Sequence, residues 1–308
     1  MTDCKFEEKQ YEWHLNDQLA EKGQVYPSGQ HLEYDLGIDS AVFSQNPKFW
    51  AMWDRRRAQR WKTGLHLRPE LWDTAERILT NNMFPKFKCN IFIQCKRPES
   101  ISSPYGKEYS YWKQPYLRYE IEDHQQITLQ NLEEKISSYA IVVYACLSFW
   151  KREDFWRLIE NGQIVENSNF VQPRRLRGHR RYTFIQSGKD GYACSEPRKI
   201  EGLDILKEIH RMLDQPDQFE NNVQFLNNLA KDIKMVIEEL DETTRKGFFA
   251  IRESMGYSDH ELGRSVTTIF AFNLFANTTW GIAFENPQPP SHPIQEVDGR
   301  IKGLFDSL

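Results

Sequence analysis

The sequence is poor in what a secreted, disulfide-braced or membrane-spanning chain relies on. It has five cysteines in 308 residues, Cys4, Cys89, Cys95, Cys146 and Cys194, and no two are spaced as CxxC. Neither a zinc ribbon nor a disulfide framework is expected, and a reducing cytoplasm suits scattered free thiols. The opening stretch, MTDCKFEEKQYEWHL, has neither the basic nor the apolar region of a secretory leader. The longest uncharged run, Ser265 to Phe284, carries Asn273, Asn277 and four threonines. It is expected to be a buried helix or helix pair, not a membrane span. A globally basic coat is lacking too: 40 basic residues stand against 44 acidic, for a net charge of −4. A local basic site remains compatible with that balance.

Familiar chemistry is also absent. There is no GxSxG, no GxxxxGKS/T, no GxGxxG after a strand and no HExxH, and the eight histidines do not fall at metal-ligand spacings. Serine hydrolase, P-loop, dinucleotide and zincin readings therefore lose their support.

What is present is a chain long enough for about two domains, with 39% apolar, 27% charged and 13% aromatic residues. Residues 4–22 show Phe6, Tyr11, Leu15 and Leu19 near one helical face, ended by Gly23. Residues 31–44, HLEYDLGIDSAVFS, suggest one or two strands broken at Gly37. A segment rich in tryptophan and arginine follows, then a helix opened by Pro69. FKCNIFIQCK, 87–96, is a strong strand, 125–138 a helix, and the fully apolar 140–147 a strand for the middle of a sheet. A short helix over 151–162 and a strand- and loop-rich stretch over 163–200 come next. From about residue 203 the pattern is helical. Phe219, Val223, Leu226, Ala230, Ile233, Ile237 and Leu240 step 4,3,4,3,4,3. Such a face belongs either to the core helix of a small bundle or to a seam between copies of the chain, through 217–241.

Strand alternation puts Gln94 and Lys96 on one face, with Ile91, Ile93 and Cys95 on the other. A lysine closing so apolar a strand is costly unless that end opens into a polar site. Upstream, Asp39 stands at the start of an apolar strand after a glycine bend, Glu33 and Asp35 precede it, and Glu8 and Glu12 lie one turn apart on the first helix. Carboxylates and the Gln94 carbonyl can hold a hard divalent cation, which activates water and neutralises a phosphodiester. Lys96 can orient the water or stabilise the developing charge. Taken singly, an aspartate at a strand start is a common cap and Gln-x-Lys a common strand edge; their ordered combination is the signal.

Two basic clusters accompany these residues. One holds Arg55, Arg56, Arg57 and Arg60 among Trp50, Trp53 and Trp61. The other holds Arg174, Arg175, Arg177, Arg180 and Arg181. Both suit phosphate recognition, or else a solvated face and ion pairs with the surplus acid. The tryptophans suit base stacking or helix packing.

The order of a helix glutamate, PSGQHLEYDLGID and NIFIQCK resembles the restriction-endonuclease-like fold of the PD-(D/E)XK nuclease superfamily, in the subgroup with glutamine replacing the acid before the lysine. Glu33, Asp35, Gly37, Ile38, Asp39, Gln94 and Lys96 carry the likeness, with Glu12 as the helix acid and Glu8 its rival, over about residues 5–150. The resemblance implies an α/β domain with a mixed central sheet flanked by helices. It implies Mg²⁺, or Mn²⁺ in its place, on Asp39, Gln94 and Glu33, and catalysis by Asp39, Gln94, Lys96 and Glu12. A cytoplasmic DNA endonuclease of microbial defence or restriction is the expectation, acting on duplex DNA. The alternative is an inactive nuclease-fold scaffold that binds nucleic acid or a partner protein through its helical C-terminal region. The nuclease domain is expected over 1–200, with an insertion at 45–86, and a helical domain over 201–308.

Overall fold

The computed structural model describes residues 4–23, 25–27, 69–81, 85–185, 190–194, 197–255 and 258–284. Asp39, Glu33, the first arginine cluster and its three tryptophans lie outside these residues.

The amino-terminal helix α1 spans Glu8–Gly23 and leads into a short strand β1, Val25–Pro27. Helix α2, Pro69–Thr80, precedes the long strand β2, Phe87–Lys96. Then come β3 (Glu99–Ile101), the single turn α3 (Tyr109–Trp112) and β4 (Tyr116–Glu120). Helix α4, Asp123–Ile136, connects to β5, Ala140–Leu147. Helix α5 (Arg152–Glu160), β6 (Ser168–Val171), β7 (Arg181–Phe184), β8 (Gly191–Cys194) and β9 (Arg198–Ile200) follow. The carboxy-terminal part holds α6 (Ile205–Leu213), α7 (Asn222–Glu238), α8 (Glu242–Ser254), α9 (Glu261–Ala276) and β10 (Thr279–Phe284). Side-chain caps start three of these helices. Asp204 accepts from Lys207 N, Asn221 from Gln224 N, and Asp241 from the N–H groups of Thr243 and Thr244.

The strands form two five-stranded sheets. The first has order β1-β10-β2-β5-β6, with β2 and β5 parallel and the other pairs antiparallel. The second, β3-β4-β7-β8-β9, is antiparallel throughout. The protein is thus a mixed α/β chain with a helical carboxy-terminal region.

Alternation along β2 divides the core. Cys89, Ile91, Ile93 and Cys95 pack with Tyr11, Leu15 and Leu19 of α1, Phe155 of α5 and Ile209 of α6. Phe92 faces the opposite layer, with Leu129 and Leu132 of α4, the α7–α9 bundle and Tyr182 and Phe184 of the second sheet. Central strand β5 is buried along its whole length, as an apolar run on a doubly covered strand must be.

Two expectations change. The run 265–284 is not a helix pair. Asn277, at φ 49°, ends α9 in the left-handed conformation, and Thr278 N and Oγ1 donate to Asn273 O and Oδ1, both at 2.9 Å. The chain then extends as β10 and enters the first sheet between β1 and β2. The boundary expected at residue 200 is therefore crossed by the sheet itself. The heptad face of α7 is the second change. Leu226, Ala230, Ile233 and Ile237 are buried within the chain, where α7 packs on α4 and α9. That face serves as core and is not free to form a seam between copies. Among the described residues no helix is long and apolar enough to cross a membrane.

Candidate functional site

The carboxyl ends of parallel β2 and β5 lie beside the amino-terminal turn of α4, because α4 runs back along the sheet and returns the chain at Tyr139, whose carbonyl accepts from Asn90 N at 2.9 Å. Crevices at the carboxyl ends of parallel strands are where α/β sheets bind ligands, and a helix amino terminus there favours negative charge.

Gln94 and Lys96 emerge on one face of β2, as alternation requires. Both donate to the same acceptor: Gln94 Nε2 lies 2.6 Å and Lys96 Nζ 3.1 Å from Gln125 Oε1 in the first turn of α4. That shared acceptor sets the Gln94 amide, since the opposite orientation would place two carbonyl oxygens together. The Gln94 side chain is 0% exposed, and its Oε1 has no hydrogen-bond partner among the described residues. An orphaned buried carbonyl costs about 1–3 kcal/mol, so this oxygen calls for a ligand.

Lys96 is half-buried, its ammonium 5.8 Å from the Tyr144 ring centroid. Burial pulls its pKa down, while Glu8 and, more weakly, Glu122 oppose the shift. Glu8 reciprocates: burial pushes its carboxyl up, and Lys96 is the main group holding it down. Asn277 Nδ2, at the cap of α9, donates to Glu8 Oε1 at 3.4 Å. The helix acid coupled to Lys96 is thus Glu8. Glu12, one turn on, is buried and ion-paired to Lys9 at 3.4 Å.

The adjacent Gln126 extends the network. Tyr144 Oη donates to Gln126 Oε1 at 3.0 Å, and Gln126 Nε2 donates to Pro173 O at 2.7 Å. Pro173 opens the 3₁₀ turn Pro173–Leu176 that carries Arg174 and Arg175. The second arginine cluster therefore borders α4, and it is largely paired along that helix. Arg174 Nε lies 2.9 Å from Glu133 Oε1, Arg177 pairs with Glu134, and Arg180 Nη2 lies 3.1 Å from Asp123 Oδ2. Arg175 is exposed, and its carbonyl accepts from Arg198. Arg181 is half-buried with Nη2 3.1 Å from Glu108 Oε1, so it is committed to an interior carboxylate.

The structure thus brings Gln94 and Lys96 together on Gln125, sets Glu8 of α1 within electrostatic reach of Lys96, and separates Arg181 from the surface cluster. Both sides of β2 are occupied among the described residues, by β10 along residues 87–93 and by β5 along 90–96. Gln125 was not foreseen; its only signal is a tandem of glutamines opening a helix after the Gln-x-Lys strand. Among the described residues no three His, Cys, Asp or Glu side chains form a metal-ligand set. The open oxygen here is the Gln94 carbonyl, and the nearest carboxylate acting on Lys96 is Glu8; oxygen donors of this kind suit a hard cation. The chain matches no protein-family model, no curated protein and no solved structure.

Proposed function

We propose that the protein is a Mg²⁺-dependent endonuclease of the restriction-endonuclease-like fold, hydrolysing phosphodiester bonds in duplex DNA. The observation that carries this reading is the orphaned Gln94 carbonyl, buried at the carboxyl end of β2, where Gln94 and the Lys96 ammonium share the Gln125 acceptor. In this reading Gln94 and Glu8 hold the ion, with Asp39 and Glu33 supplying further carboxylates. The bound cation supplies Lewis acidity and lowers the pKa of water. Gln125 fixes the Gln94 amide and steadies Lys96. Lys96 orients the attacking water as its base or offsets charge on the phosphoryl oxygens. Exposed Arg175 takes the DNA backbone directly, and Arg174, Arg177 and Arg180 by exchanging carboxylate partners for phosphate, which makes binding fall with salt.

Plasmid cleavage in Mg²⁺ or Mn²⁺ tests the proposal. Lys96→Met and Glu8→Gln are expected to lose about 100-fold or more of the wild-type rate. Equal cleavage by wild type and both variants would remove the assignment. A second reading is favoured by one feature: glutamine stands where the nuclease superfamily carries an acid. Salt-sensitive DNA binding without cleavage in either metal would make the protein a nuclease-fold scaffold.

A further inference from the structure

Tyr144 is the only hydroxyl-bearing residue of β5, a strand otherwise built of Ala, Ile, Val, Cys and Leu. It stands in register between Gln94 of β2 and Val171 of β6. One row across the sheet therefore runs from the end of β2 to the strand that feeds the arginine-bearing turn Pro173–Leu176. Tyr144 is 0% exposed, and burial pushes its phenol up, so the hydroxyl stays a donor. The Lys96 ammonium lies over the ring, 5.8 Å from its centroid.

The hydrogen bonds through Gln126 have one possible sense. Pro173 O can only accept, so Gln126 must offer it Nε2, at 2.7 Å. Gln126 Oε1 then faces Tyr144, which must donate, at 3.0 Å. Gln126 is buried, and both ends of its amide are engaged. Its neighbour Gln125 holds Gln94 and Lys96 through Oε1. The first turn of α4 thus reaches the Lys96 ammonium twice, directly from Gln125 and from Gln126 by way of the Tyr144 ring. The same Gln126 grips the arginine turn, which Glu133 Oε2 pins again by accepting from Arg174 N at 2.8 Å. Packing alone does not call for this chain of contacts. Phenylalanine at position 144 and methionine at 126 would fill similar volume without burying polar atoms, and such paired replacements are often nearly neutral. A fully satisfied buried network fixes a geometry instead.

We infer that Tyr144 and Gln126 are positioning residues that tie the arginine turn to Lys96, so that a duplex phosphate taken by Arg174 and Arg175 is registered at the ammonium. The duplex partner and the work of Lys96 rest on the nuclease reading; the tie itself rests on the contacts among Lys96, Tyr144, Gln126 and Pro173.

The test uses the full chain with isotope-labelled lysine, the Lys96 side-chain resonance being identified by its loss in Lys96→Met. A short duplex oligonucleotide is titrated without divalent metal, so that nothing is cleaved. In wild type the Lys96 resonance is expected to shift saturably with duplex. Tyr144→Phe keeps the ring and removes only the hydroxyl; Gln126→Met removes both hydrogen bonds at similar volume. Each is expected to lose most of that shift at equal duplex occupancy, and the double variant to lose no more than either alone, as two cuts in one tie. With Mg²⁺ the same single variants should lower kcat about 10- to 100-fold and leave KM unchanged. A Lys96 resonance that does not move with duplex, or that moves equally in wild type and both variants, overturns the tie, whether or not plasmid is cleaved. So do additive losses in the double variant, and a lower melting temperature in Gln126→Met with the full Lys96 shift retained, which is a structural role only. If duplex moves Lys96 through Gln126 while wild type cleaves in neither Mg²⁺ nor Mn²⁺, the tie stands and the nuclease reading falls.

Discussion

Two buried charge clusters in this protein are built in opposite ways. Glu108, 3% exposed, lies against the second sheet and is answered from several sides. Arg181 Nη2 lies 3.1 Å and Arg118 Nη1 3.9 Å away, and Tyr116 Oη donates to it at 2.9 Å. Arg118 also forks onto Glu99 at 3.0 and 2.6 Å. Among the described residues Arg181 Nε is the one atom of this cluster without a partner. At the end of β2 the balance is missing. Lys96 and Glu8 are each pushed toward their neutral forms by burial, and the Gln94 carbonyl is left open. A closed network secures a fold, whereas an open one with perturbed titration marks a place where something binds.

The largest expected effect lies in the closed cluster. Glu108→Ala leaves Arg181 and Arg118 without their shared carboxylate and should cost about 3–5 kcal/mol in urea unfolding. A cost near zero would break the contrast. Glu133 sharpens it as an intermediate case. Its Oε2 accepts from Arg174 N at 2.8 Å, yet its Oε1 lies off the hydrogen-bonding line of Arg174 Nε and has no donor. Burial, opposed by Arg174, pushes its pKa up to about 7. The folded chain then holds a proton that the unfolded chain releases above its ordinary value of 4.5. Stability should therefore fall as pH rises from there to about 7 and level off beyond. Glu133→Gln should flatten this slope, gaining about 1–3 kcal/mol at pH 8.

The smallest expected effect is at the open cluster. Lys96→Met should leave stability within about 1 kcal/mol of wild type, or raise it, while cleavage is lost. The sign follows from the titrations. A lysine with a lowered folded pKa makes stability rise with pH toward the lysine range, and a glutamate with a raised one makes it fall as pH climbs above the ordinary carboxylate value. Glu8→Gln should thus stabilise the protein at neutral pH. Marked destabilisation by either change would recast both residues as structural.

Much of this was legible before any coordinates. Strand 140–147 is an unbroken apolar run and strand 87–96 sets apolar residues at every odd position among polar ones, and their extents were readable to the residue. The shared face of Gln94 and Lys96 follows from alternation alone. What the pattern could not disclose depends on chain distant in sequence. Residues 279–284 carry β-branched and aromatic residues, but their pairing with β2 reaches across nearly two hundred positions. The choice between Glu8 and Glu12 turns on how α1 rolls on the sheet, and both positions fit one helical face. Gln125 shows no periodic signal at all, since its role comes from where the α4 crossover begins. In the second arginine cluster, composition announced the basic charge but not the acids on α4 that meet it.

The most direct test of the open cluster is Mn²⁺ binding, followed by the paramagnetic resonance of the free ion. One ion per chain is the predicted stoichiometry, with affinity at least about tenfold weaker in Glu8→Gln and in Asp39→Asn. No bound ion, or equal affinity in all three proteins, would contradict a cation site at the end of β2.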